Sequence, residues 1–161
     1  MIIILMGVAG SGKTTIGQAL ATALGWPFYD GDDFHPPANI DKMTRGIPLT
    51  DADRDPWLRA IHAHMTALTQ RQQPAVVACS ALKQMYRELL VGALAQTRLV
   101  YLRGSPALIG GRLEARQAHF MPPGLLASQF ETLEEPDDAL TVDIALPVDE
   151  IVETIRGAFS I

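Results

Sequence analysis

Only one cysteine, Cys79, occurs in the 161 residues. That excludes an intrachain disulfide and any multi-cysteine zinc site, and it fits a reducing compartment. Basic excess is missing too. The formal net charge is −5, whereas a protein that lives on nucleic acid needs a basic surface for phosphates. Long apolar runs are also lacking. The opening MIIILM stops after six residues with no basic segment beside it, too short for a signal peptide or a membrane span. The expectation is a cytoplasmic protein without nucleic-acid or membrane partners. Repeats, low-complexity tracts and long linkers are absent, so residues 1–161 read as one domain with a core of ordinary size.

What is present is alternation. Near-continuous apolar runs at Ile2–Met6, Pro27–Asp30, Ala75–Cys79, Leu99–Leu102 and Val142–Leu146 have the character of strands buried on both faces of a parallel sheet. Helical patterns lie between them, at about 13–24, 54–71, 83–95, 105–118 and 148–159. This order predicts an α/β fold with a central five-stranded parallel sheet flanked by helices. Ligands of such sheets bind beyond the carboxyl ends of the strands. HFMPP interrupts the fourth helical pattern, and a lid-like segment is expected over roughly 112–135.

GVAGSGKT, residues 7–14, satisfies G-x-x-x-x-G-K-[ST] between an apolar strand and a helical pattern, the context that a phosphate-binding loop requires. Glycines at 7, 10 and 12 let successive N–H groups turn inward, and the following helix directs its positive end at the phosphates. Gly7, Val8, Ala9, Gly10, Ser11, Gly12, Lys13, Thr14 and Thr15 are the candidate ATP-binding residues. Lys13 reaches the β- and γ-phosphates, and the Thr14 hydroxyl suits Mg²⁺.

Two further absences narrow the class. No N-K-x-D segment is present to read guanine. The third strand ends in Cys79 and Ser80, with no acid there to hold a metal as in large ATPase motors. The nearest acids at a strand end are those of FYDGDD. Alone, DGDD is a solvated turn; beyond a strand of a phosphate-loop sheet, it supplies Asp30 as the candidate metal-side carboxylate and Asp32 as the group that accepts or orients a hydroxyl proton. Asp33 is left as a loop residue. Small size favours a small-molecule kinase. Arg112 and Arg116 share a helical face, with His119 a turn later, and are candidate cations for the transferring phosphoryl group; an ordinary solvated helix face is the alternative. Cys79 reads as core filling, and His62 and His64 as surface or packing residues.

GVAGSGKTTIGQALATALGWPFYDGDDFHPPANIDKMTRGIPLTDADRDPWL, VVACSALKQMYRELL and VYLRGSPALIGGRLEARQAHFMPPGLLASQFETLEEP closely resemble the gluconokinases of the small P-loop kinase family. The resemblance covers nearly the whole chain. It implies ATP- and Mg²⁺-dependent phosphorylation of D-gluconate to 6-phosphogluconate on a nucleoside-monophosphate-kinase-like sheet with a lid, and a homodimer. Comparison with shikimate kinases, whose second strand also ends in Asp-x-Asp, again suggests Asp30 on the metal side and Asp32 on the substrate side. It places Arg54 to meet the substrate carboxylate, a task for which a planar fork is suited. Lys83 and Arg87, read as four apart on one helix, are further candidates for binding gluconate, or else an exposed basic face. His35 either meets a sugar hydroxyl or fixes its loop. Gln129 and Glu134 fall in a matching segment without an assigned role. Thr14-Thr15 replaces the Ser-Thr of many relatives and keeps the hydroxyl, while Ala118 stands where relatives often have Gly. The rival readings are a kinase for another hydroxy acid or polyol, such as shikimate, and a non-catalytic ATP-binding module.

Overall fold

The computed structural model describes residues 1–115 and 123–161. Five strands, β1 (Ile2–Met6), β2 (Phe28–Asp30), β3 (Ala75–Ala78), β4 (Thr97–Arg103) and β5 (Leu140–Asp143), form one sheet in the order 2-3-1-4-5. Every pairing is parallel. β1 lies at the centre with all five of its residues buried. Because side chains alternate across a strand, its run of apolar residues supplies two cores at once. Ile3 and Leu5 join one core, Ile2, Ile4 and Met6 the other.

The first core is covered by α1 (Lys13–Leu24), α5 (Pro106–Ala115) and α7 (Val148–Phe159), through Ile16, Leu20, Ile109, Ile151 and Ile155. The second is covered by α3 (Asp51–Gln70) and α4 (Gln84–Val91), through Trp57, Leu58, Ile61, Met65, Tyr86 and Leu90. α6 (Pro123–Thr132) packs Leu126 and Phe130 against the first core, and α2 (Pro37–Thr44) follows the turn after β2. No helix of the described residues is long and apolar enough to cross a membrane.

Several boundaries differ from expectation for local reasons. α3 begins at Asp51 and not near 54, because Thr50 caps it: the Thr50 hydroxyl accepts from the Asp53 N–H, and the Asp53 carboxylate accepts from Thr50 N–H, a reciprocal capping box. α2 was not anticipated. Pro37 sits at its first turn, where a missing N–H costs nothing, so the Pro-Pro pair starts a helix where a loop was expected. Pairing of β5 with β4 ends at Asp143, and residues 144–146 turn away; the apolar Ile144 there fills the first core as loop, not strand. α6 begins at Pro123, the last residue of HFMPP.

Candidate active site

The carboxyl ends of the strands bring together the loops after β1, β2 and β3. Gly12 has a left-handed φ of 92° directly before α1, and Gly10 has φ 79° with Leu113 so close that a Cβ would lie 2.8 Å from it. These two positions need glycine for conformation, and Gly10 also for space. The Lys13 ammonium donates to the Gly7 and Val8 carbonyls, each at 3.0 Å. Burial lowers its pKa, while Asp32, Cys79 and Asp30 act to raise it. Lys13 is thus held under the loop as a cation in a poorly hydrated place. The Ala9 N–H is taken by the Gln129 Oε1 of α6 at 2.6 Å.

Across from the loop, the Thr14 hydroxyl donates to Asp30 Oδ2 at 3.0 Å, and Asp30 Oδ1 accepts the Asp32 N–H at 3.0 Å. Asp30 therefore caps a short 3-10 turn, Gly31–Phe34, and meets the start of α1. This pair of hard oxygens fits Mg²⁺, which favours oxygen ligands and keeps several waters. Among the described residues no cluster of three or more His, Cys, Asp or Glu side chains competes for a metal. Asp32 points outward, with its side chain 83% exposed. Even so, partial loss of hydration, and then the neighbouring Asp30 charge, raises its pKa; Lys13 and His35 oppose the rise.

His35 is fixed from three sides. It stacks on Trp57 with ring centroids 4.2 Å apart, and its Nδ1 faces Asn39 Nδ2 at 3.3 Å. Asn39 Nδ2 also donates to the Asp53 carbonyl, so it is a donor and His35 Nδ1 accepts. The ring proton then sits on Nε2, which lies 3.9 Å from Asp32 Oδ1. Burial lowers the His35 pKa more than Asp32 raises it. Trp57 Nε1 donates to the Gly31 carbonyl at 2.7 Å and so anchors the acidic turn to α3. Trp57 and Asn39 were not singled out from the sequence, since neither lies in a motif and their work depends on chain segments far apart.

Arg54 and Lys83 meet around Tyr86. The Arg54 guanidinium carbon lies 5.6 Å and the Lys83 ammonium 5.5 Å from the ring centroid. Lys83 pairs with Asp51 at 2.9 Å, which also accepts from the Tyr86 hydroxyl. Arg54 donates to the Leu49 carbonyl at 2.6 Å. Two substrate-side candidates are thereby clustered. Arg87 is not with them, and the expected helix pair is corrected: Lys83 is the residue before α4, while Arg87 is buried and donates to the Ala81 and Leu82 carbonyls, both at 3.1 Å. Tyr86 and Leu90 pack α4 on α3, and Arg87 turns back to the loop before the helix.

Arg112 donates to the Ile144 carbonyl at 2.6 Å and lines a cleft of about 350 Å³ with Thr15, Ile16, Ile144, Leu146 and Val148. The cleft opens beside the start of α1. Arg116 and His119 lie outside the described residues. Cys79 is buried, and burial pushes its thiol up to about 12, which suits packing and not nucleophilic chemistry.

The sheet order, the loop between β1 and α1, and Lys13 beneath it define a P-loop phosphotransferase. A family model described as shikimate kinase matches residues 9–135. The chain is 48% identical to the gluconokinase of Gluconobacter oxydans, over 84% of this chain and 76% of that protein. It therefore belongs to the gluconokinase family, whose members are ATP-dependent kinases acting on an alcohol group. Among solved structures, a gluconokinase from Sinorhizobium meliloti superposes with a TM-score of 0.85 at 48% identity, covering 94% of this chain and 86% of that one. An unliganded sugar kinase from Janibacter superposes with a TM-score of 0.91 at 41% identity, covering 99% and 94%.

Proposed function

We propose that this chain transfers the γ-phosphoryl group of ATP to a terminal hydroxyl of D-gluconate, giving 6-phosphogluconate and ADP, with Mg²⁺. What supports this reading is that the phosphate loop with Lys13, the acidic turn with Asp32 and the Arg54–Lys83 cluster occur together in a chain 48% identical to a gluconokinase. Asp32 interacts with Lys13 on one side and His35 on the other, and Arg54 in turn acts on His35.

In this reaction residues 7–15 hold the triphosphate, and the cleft lined by Thr15, Arg112, Ile144 and Leu146 takes the base. Thr14 and Asp30 would hold Mg²⁺, which neutralises phosphate charge when bound. Arg54 and Lys83 pair with the gluconate carboxylate. The hydroxyl oxygen forms a bond to phosphorus as the bond to the ADP oxygen breaks and its electron pair leaves with ADP. Asp32 accepts the hydroxyl proton, with a raised pKa that makes it a better acceptor. Lys13 offsets charge on the phosphoryl oxygens. His35 holds the substrate side of Asp32, and Arg87 supports the 81–83 loop from behind. A homodimer in the cytoplasm, implied by family resemblance, belongs to the same proposal and is checked by sedimentation.

The test is ADP release measured over a panel of sugar acids, polyols and shikimate. Gluconate should have the highest kcat/KM; a preference for shikimate would favour the neighbouring kinase reading, and no turnover with any acceptor a binding module. Asp32→Asn should cut kcat by about 10²-fold or more, the usual worth of a positioned base, with ATP binding intact. A change confined to the KM for gluconate would make Asp32 a binding group only.

A further inference from the structure

Gln129 stands 120 positions from Ala9 in sequence, yet its Oε1 accepts the Ala9 N–H at 2.6 Å. A backbone N–H bonds only the oxygen of a carboxamide, so the contact fixes how the amide is turned: oxygen on the loop, with no acceptor for the NH₂ group among the described residues. Ala9 is on the lip of the phosphate cradle, within the residues that face the outer phosphates. The same segment has a second anchor. The Glu134 N–H donates to the Leu82 carbonyl at 2.9 Å, and Glu134 Oε2 accepts the Gln84 N–H at 2.6 Å. Residues 129–134 thus bridge the loop after β1 to the loop after β3, which carries Lys83.

We propose that Gln129 is a positioning residue for the terminal phosphoryl group: its oxygen holds Ala9, its NH₂ donates to that group, and Glu134 sets the distance of the segment from the acceptor side. This rests on the nucleotide reading of residues 7–14. The test is calorimetric titration of ATP and ADP into the wild type, Gln129→Glu and Gln129→Met, with thermal unfolding of each nucleotide-free protein. Glutamate still accepts from Ala9 and keeps the tether, but replaces the NH₂ donor with a negative oxygen. It should weaken ATP by about tenfold to hundredfold, as a like charge at contact range does, and weaken ADP less, with Tm unchanged. Gln129→Met should lower kcat and weaken ATP modestly. Equal loss for ATP and ADP, wild-type affinities in Gln129→Glu, or tighter ATP binding in Gln129→Met would overturn the proposal. A wild type that binds neither nucleotide would overturn the nucleotide reading and this proposal together.

Discussion

Arg87 offers the sharpest separation of a brace from a substrate contact. It is 7% exposed, and its guanidinium donates to the Ala81 and Leu82 carbonyls. Those carbonyls belong to the turn between β3 and Lys83, where Ala81 holds a positive φ of 45°, a costly conformation for a residue with a side chain. Arg87→Met keeps most of the stem and removes both bonds. Hydrogen bonds from a charged donor contribute about 1.5–3 kcal/mol each. Removing the buried cation returns part of its own desolvation cost, which leaves a net loss of about 2–3 kcal/mol. For a chain of this size that lowers Tm by roughly 4–12 °C.

Urea denaturation and thermal unfolding measure the loss, and gluconate kinetics on the folded variant supply the second readout. A brace predicts both lower stability and a higher KM, because Lys83 follows the loosened turn directly. An unchanged Tm with a raised KM would refute the reasoning and return Arg87 to the substrate. Arg87→Lys should not rescue, since one ammonium on a shorter stem does not reproduce the planar fork.

Two further outcomes are expected. Asp53 pairs with Lys42 and caps α3, and these contacts hold its carboxyl down at about 2, from an ordinary 3.8. A depressed carboxyl stabilises the fold above its unfolded pKa and loses that effect as the folded pKa is passed. The Tm gap between wild type and Asp53→Asn should therefore be constant near neutral pH and shrink as pH falls from 4 to 2; a gap independent of pH refutes it. Arg112→Ala removes the cation of the cleft beside Thr15 and its bond to the Ile144 carbonyl. It should weaken ATP and ADP alike by about tenfold, a modest cation–base or hydrogen-bond contribution, as calorimetry would detect. Loss for ATP alone would move Arg112 from the base to the outer phosphates.

The parts legible in sequence are those fixed locally. GVAGSGKT carries its own conformation in Gly10 and Gly12, and IIILM can only be a strand with both faces covered. That Asp30 closes β2 and Asp32 lies in the turn just beyond it was legible too. What escaped is set by contact between distant segments. Nothing in RELL tells that Arg87 is buried, because the way the turn after β3 folds back over α4 decides it. Nothing near SQFE tells that Gln129 meets Ala9. Arg112 was read as a cation for the phosphoryl group, yet the turn at 144–146, where β5 ends earlier than its apolar pattern, gives it a carbonyl beside the cleft. The capping box hid the true start of α3 for a subtler reason: its Thr50 and Asp53 resemble any polar loop until a helix follows in register.

The acidic turn shows why two of its three aspartates are spaced as they are. Asp30 uses one oxygen for the Asp32 N–H and the other for the Thr14 hydroxyl. Partial loss of hydration makes Asp32 more basic, and because the cap holds its backbone beside Asp30, the repulsion between the two carboxylates raises it further. Lys13 limits that rise from the phosphate side and His35 from the acceptor side. Under the proposed reaction, a single two-residue spacing therefore supplies both a metal-side oxygen and a stronger proton acceptor. Asp33 is exposed and makes none of these bonds, yet its charge adds the smallest push in the same direction as Asp30; replacing it should move the acid limb of the kcat/KM profile slightly to lower pH, whereas Lys13→Met should move any residual limb to higher pH.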